Sequence, residues 1–156
     1  MGSGRAERNR DEQGLTLVEL IIVVSVVAIL ASAALPIARF QVRREKERVL
    51  RNDLEEIRDA IDEYKNAADR GAFLIKFDSF GYPADLNTLV DGVDVQGKKV
   101  KFLRKIPVDP MTGAADWGLR SMQDDATSFS WGGQNVFDVY SKSQSIGMNG
   151  TKYSEW

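Results

Sequence analysis

The chain has 156 residues, with 21 Lys and Arg against 23 Asp and Glu and a formal net charge of −2. It contains no cysteine and no histidine, which excludes disulfide frameworks, thiol nucleophiles and cysteine metal sites and removes the usual general base and the commonest transition-metal ligand. The charges are interspersed without a basic block, so no nucleic-acid partner is expected, and the length fits one domain beyond a membrane-length helix.

Residues 1–14 form a polar leader in which Arg5, Arg8 and Arg10 are balanced by Glu7, Asp11 and Glu12. Residues 15–38 follow as an apolar run, and Glu19 is its sole charged residue. As a helix the run is roughly 36 Å long, enough to cross the hydrocarbon core of a bilayer. A carboxylate inside such a segment is costly. The run offers Glu19 no partner, so the partner must come from elsewhere. Pro36 lacks an amide donor and is expected to break or bend the helix near its far end. The small residues Ala28, Ala31, Ser32, Ala33 and Ala34 would let neighbouring helices approach closely.

From residue 39 to 70 the pattern turns amphipathic. Leu50, Leu54, Ile57, Ile61, Tyr64 and Ala68 recur at spacings of three and four, which makes one apolar stripe on a helix. Arg51, Glu55, Glu56, Arg58, Asp62 and Glu63 fall elsewhere. The stripe is expected to pack on the chain's own domain. No strong breaker stands between 37 and 70, so the two segments read as one long helix, with Gly71 as its stop.

Residues 71–156 are rich in turns and suited to strands. A short helix is expected over 84–90, with Leu86, Leu89 and Val90 as its apolar side. Val93 to Val95 and Lys99 to Phe102 flank Gln96-Gly97-Lys98, which reads as a hairpin or loop. Residues 116–122 and 136–141 are further strand candidates, separated by a loop over 123–134, and Gly147 to Thr151 is another turn. The aromatics Phe129, Trp131, Phe137, Tyr140, Tyr153 and Trp156 are expected to pack in the core and at the chain end of a small sheet domain, not to stack on a ligand. The fold class expected is α+β: a long N-terminal helix, half membrane-type and half amphipathic, packed on a small C-terminal antiparallel β-sheet domain.

Residues 14–19, Gly-Leu-Thr-Leu-Val-Glu, closely resemble the cleavage and methylation motif of type IV prepilins and type II secretion pseudopilins. The resemblance implies that a prepilin peptidase cuts between Gly14 and Leu15 and methylates the new N-terminus at Leu15. Glu19 falls on the family's glutamate and Pro36 on its recurrent proline. The commonest first residue is phenylalanine, and this chain has Leu15 instead. Three later segments, Gly81-Tyr82-Pro83, Phe102 to Pro110 and Asp138-Val139-Tyr140-Ser141, look like the body of the G-type major pseudopilin of type II secretion. Type IV major pilins commonly close their C-terminal region with a disulfide, so the lack of cysteine leans toward the pseudopilin.

The function implied is that of a structural subunit, not an enzyme. After cleavage it would sit in the bacterial inner membrane by a single span, with its C-terminal domain in the periplasm. It would then assemble with copies of itself into a periplasmic helical filament that drives export of folded proteins. The implied partners are the prepilin peptidase, an inner-membrane assembly platform, minor pseudopilins and, before assembly, membrane lipid. Glu19 would pair with the Leu15 amine of a neighbouring subunit. A type IV pilin, major or minor, for adhesion, motility or DNA uptake is the alternative. An enzyme or receptor domain on a signal anchor is disfavoured by the leader motif and by the lack of histidine.

Calcium (Ca2+) is the cofactor that the resemblance raises, because G-type pseudopilins bind it in a C-terminal loop. Asn149 and Glu155 could supply oxygens of the kind calcium prefers. The competing reading makes Asn149-Gly150 a tight turn and Glu155 a solvated residue. Asp124 and Asp125, with Ser128 nearby, form a second oxygen-rich loop, expected to be solvated.

Overall fold

The structure, a computed structural model, describes residues 16–125 and 127–156, without the side chains of residues 33–38. The chain falls into two compact units, Met1–Gln41 and Val42–Trp156. The first helix, α1, spans Leu17–Asp69. It is helical through Pro36, so the break expected there is not an interruption of the helix. Proline removes one amide donor, and a long helix tolerates that loss as a local adjustment.

Within the second unit the amphipathic pattern of α1 is realised. Leu50, Leu54, Ile57, Ile61, Tyr64 and Ala68 are all buried. They meet Leu86, Leu89, Leu103, Trp117, Val136, Val139 and Tyr153 in one hydrophobic cluster. Each fully buried leucine or isoleucine contributes about 1.5–3 kcal/mol relative to exposure, so this face holds α1 to the rest of the unit. The helix stops as expected at Gly71, which has φ +69°. The Gly71 amide donates to the Ala68 carbonyl and the Ala72 amide to the Ala67 carbonyl, the paired bonds of a Schellman motif.

The short helix, α2, spans Leu86–Asp91 and so starts later than the 84–90 expected. Asp85 sets the start: its carboxylate accepts from the Thr88 amide at 2.7 Å and the Thr88 hydroxyl at 2.8 Å, an N-cap that fixes Leu86 as the first helical residue. Strands β1 (Val93–Val95) and β2 (Lys98–Val100) pair antiparallel, Val93 opposite Val100. Gln96 and Gly97 both have positive φ, 55° and 82°, as a two-residue hairpin turn of the primed type needs. Lys98 is therefore the first residue of β2, not part of the turn. Phe102 leaves the ladder because its amide and that of Leu103 both donate to the Leu89 carbonyl.

Strands β3 (Gly118–Arg120) and β4 (Asp138–Tyr140) form a second antiparallel pair, Gly118 opposite Tyr140. The fold is thus α+β, with a long N-terminal helix and a small antiparallel β region built as two two-stranded sheets. Both strands of the second pair are shorter than the 116–122 and 136–141 expected. Beyond Arg120 a buried side chain takes over from the ladder. Asn135 accepts from the Met122 amide through Oδ1 at 3.0 Å, and its backbone carbonyl accepts from the Ser121 hydroxyl at 2.9 Å.

Candidate functional site

The methylation motif leads into the first turn of α1. Gly14 and Leu15, the expected cleavage pair, lie outside the described residues. Thr16 directly precedes the helix. Its hydroxyl accepts from the Glu19 amide at 3.2 Å, and its carbonyl accepts the first helical bond from the Leu20 amide at 3.0 Å. Thr16 therefore caps α1, with Glu19 three positions on, the spacing of a capping box. An acidic side chain in the first turn also meets the positive end of the helix dipole. Sequence reasoning singled out Glu19 and passed over Thr16, although the Thr-x-x-Glu spacing was there to be read.

Glu19 is exposed, and so are the apolar side chains around it, from Leu17 at 74% to Leu30 at 66%. This surface is apolar all round the helix and has no covering layer among the described residues. Ser25 and Ser32 turn their hydroxyls back to the Ile21 and Ile29 carbonyls, each at 2.7 Å, which satisfies both within the helix, as an apolar surrounding would require. Among the described residues no helix is long and apolar enough to cross a membrane.

A second constellation lies in the other unit, where α1 meets the segment 143–156. Glu47 is 3% exposed. Its Oε1 accepts from the Met148 amide at 2.8 Å and from the Tyr153 hydroxyl at 2.9 Å. Arg43 and Arg51, one turn to either side, stand 3.6 and 3.9 Å from its oxygens. Arg43 also donates to the Ile146 carbonyl. Burial, with Glu47 beside it, raises the Tyr153 phenol above its usual range despite Arg43, so it stays a donor at neutral pH. Further along the helix, Arg58 donates to the Asp138 carboxylate at 2.8 Å and to the Val139 and Trp156 carbonyls, each at 3.0 Å. The guanidinium of Arg51 lies 4.5 Å from the centre of the Trp156 ring. Sequence reasoning missed Glu47 and counted Arg51 and Arg58 only as outward charges. The available signal was that Glu47 stands three residues before Leu50, in register with the apolar stripe.

Asn149 and Glu155, the residues offered for calcium, line one groove of about 380 Å³ with Arg51, Arg58, Thr151 and Trp156. The Asn149 Oδ1 already accepts from the Thr151 amide at 3.1 Å and hydroxyl at 2.9 Å. The Asn149-Gly150 turn is closed by the Gly147 amide on the Thr151 carbonyl at 2.7 Å. A groove with two guanidinium groups, two exposed carboxylates from Glu55 and Glu155 and an amide oxygen engaged in its own turn does not fit a calcium ion, which takes 6–8 oxygen ligands. Among the described residues no three acidic side chains come together where they could share a metal ion.

The Asp124–Asp125 loop spends its oxygens on its own backbone. Asp124 accepts from the Ser121 amide at 2.8 Å and the Gly132 amide at 3.0 Å, and Asp125 from the Thr127 amide at 3.0 Å. These bonds hold both carboxyls below their usual range. The late aromatics divide. Tyr140 and Tyr153 are buried as expected, but Phe129, Trp131 and Phe137 are 58%, 39% and 42% exposed. Phe129 packs edge to face on Tyr140 and Phe137 on Tyr82, and the Trp131 indole donates to the Asn135 carbonyl.

The model of the prokaryotic N-terminal methylation motif matches residues 9–35. The type II secretion system core protein G of Pseudomonas aeruginosa is 28% identical over 142 residues, covering 86% of this chain and 84% of that protein. No solved structure matches the chain. Similarity to a core protein of a secretion system sets the chain apart from the enzymes. In its N-terminal motif, in its α+β architecture and along most of its length, the chain resembles the type IV pilin-like proteins, and among them the G-type pseudopilin of type II secretion.

Proposed function

We propose that this chain is a structural subunit of the type II secretion pseudopilus. The observation that carries the reading is a lone carboxylate, Glu19, in the exposed apolar first turn of α1, inside a matched methylation motif. Prepilin peptidase cuts between Gly14 and Leu15 and methylates Leu15. The apolar part of α1 then stores the subunit in the bacterial inner membrane, with the C-terminal domain in the periplasm. In the filament, Glu19 of an incoming subunit pairs with the Leu15 ammonium of its neighbour. An unpaired carboxylate in an apolar bundle is strongly unfavourable, and loss of one partner of a buried pair costs about 3–5 kcal/mol. The pair therefore also sets the axial register. A head-to-tail contact of this kind does not close on itself and so grows a helical polymer. The inner-membrane assembly platform and minor pseudopilins are its partners in that growth.

The test combines a deletion strain with Glu19→Ala. Deletion is expected to trap secreted enzymes in the periplasm while long surface fibres persist. Glu19→Ala is expected to insert in the membrane normally and to assemble poorly. Normal filament yield and normal secretion from the mutant would refute the pairing role. Intact secretion with loss of fibres, twitching or DNA uptake on deletion would make the chain a type IV pilin.

A further inference from the structure

We propose that the segment 143–156 is fastened to α1 by a protein-only clamp centred on Glu47, with Arg43, Arg51 and Arg58 as its flanking cations, and takes no divalent metal. The proposal stands on the second unit alone and does not depend on the filament reading. Residues 43, 47, 51 and 58 project from one side of α1 and meet the segment at both ends. At the near end, Glu47 receives the Met148 amide and the Tyr153 hydroxyl, and Arg43 donates to the Ile146 carbonyl. At the far end, Arg58 donates to the Trp156 carbonyl and Arg51 faces the Trp156 ring.

The segment itself is closed on both sides of the clamp. Ile146 bridges Lys152, the Tyr153 amide donates to the Ser145 carbonyl, and the Trp156 indole N–H donates to the Thr151 hydroxyl at 2.8 Å. Tyr153 and Trp156 stack edge to face at 5.1 Å. Gly147 is required beneath them, because a Cβ there would lie 2.7 Å from the Trp156 ring and 2.9 Å from the Asn149 Oδ1.

A divalent cation would do the same work by gathering loop oxygens, and the charge balance argues against it here. Arg43 and Arg51 already neutralise the buried Glu47 carboxylate, and a divalent cation beside them would set like charges side by side. A buried carboxylate that accepts two hydrogen bonds through one oxygen also gives a sharply defined anchor, because its removal strands the Met148 amide and the Tyr153 hydroxyl.

The test uses the full chain in detergent, followed by near-UV circular dichroism melts and by trypsin cleavage at the exposed Lys152. Millimolar calcium or EGTA is expected to leave both readouts of the wild type unchanged. Glu47→Ala is expected to lower the Tm by about 5 °C or more and to speed cleavage at Lys152. Glu47→Gln keeps an acceptor but loses the charge and should fall between; it carries the comparison if the alanine variant does not fold. A calcium-dependent rise in the wild-type Tm that Asn149→Ala or Glu155→Gln abolishes would overturn the proposal. So would a Glu47→Gln variant with wild-type melting and wild-type cleavage.

Discussion

Ser141 donates its hydroxyl to the carboxylate of Asp109 at 2.6 Å, and both residues are fully buried. The pair joins two segments that resemble the G-type body, residues 102–110 and 138–141, and explains why each ends as it does. The other Asp109 oxygen accepts from the Met111 amide at 2.7 Å, so the carboxylate is satisfied on both sides. Ser141 Oγ in turn accepts from the Ser143 amide at 3.1 Å. Asp109 thus orders its own turn and ties it to the end of β4.

Ser141→Ala is expected to destabilise the chain by about 1–3 kcal/mol, the cost of leaving a buried acceptor short of its donor. Ser141→Thr keeps the hydroxyl but adds a methyl to a fully buried position, and should cost less than alanine only if the site yields space. Urea unfolding of the full chain in detergent measures both. An alanine variant as stable as wild type would mean that the bond contributes nothing net.

Gly118 sits opposite Tyr140 in the β3–β4 register, and a Cβ on it would run into the Tyr140 ring. Its φ is not in the left-handed region, so the requirement is space and not backbone freedom. Gly118→Ala is expected to cost about 1–3 kcal/mol by overpacking, and Gly118→Ala with Tyr140→Leu should recover part of that loss. A double-mutant cycle in urea checks it, and additive effects would show that the two positions do not meet.

The helical half of the fold is legible in the residues, because an apolar stripe at spacings of three and four leaves little choice about which face is buried. Leu50, Leu54, Ile57 and Ile61 needed no other information, and Gly71 and Gln96-Gly97 announced their turns by backbone chemistry. The β region is less legible because its strands are only three residues long, too short for alternation to mark their ends. The end of β3 is set by the buried Asn135, whose partners Ser121 and Met122 lie more than ten positions away. The Asp109–Ser141 and Glu47–Tyr153 pairs span 32 and 106 positions, a separation that no local pattern encodes. Glu47 was the harder residue to see, since a glutamate beside Arg43, Arg48 and Arg51 reads as one more solvated charge. Phe129, Trp131 and Phe137 differ the opposite way: aromatic character suggested burial, but Phe129 and Phe137 pack edge to face on Tyr140 and Tyr82 while staying partly exposed.

Two sets of carboxylates give opposite pH responses. Asp124 and Asp125 are held below the ordinary aspartate value of 3.8 by amide donors, from Ser121 and Gly132 for the first and from Thr127 for the second. A depressed folded value means that the charged form is favoured on folding, so their contribution is fully present above 3.8 and is lost as pH falls through the lower folded values. The loop 121–132 is therefore expected to loosen in acid before the core does, seen as early loss of the Ser121 and Gly132 amide signals in nitrogen–proton NMR spectra. Asp53 goes the other way. Burial raises it, the neighbouring Glu56 and Asp109 add to the rise, and Lys105 opposes them. Its charged form is disfavoured on folding, so the folded state gains relative stability as pH falls through the raised value. Asp53→Asn should then stabilise the chain at neutral pH and flatten this part of its pH dependence, while Asp124→Asn should destabilise the loop at neutral pH. Urea midpoints across the acid range separate the two. A destabilised Asp53→Asn variant at neutral pH would show that the carboxylate makes a favourable contact that outweighs its burial.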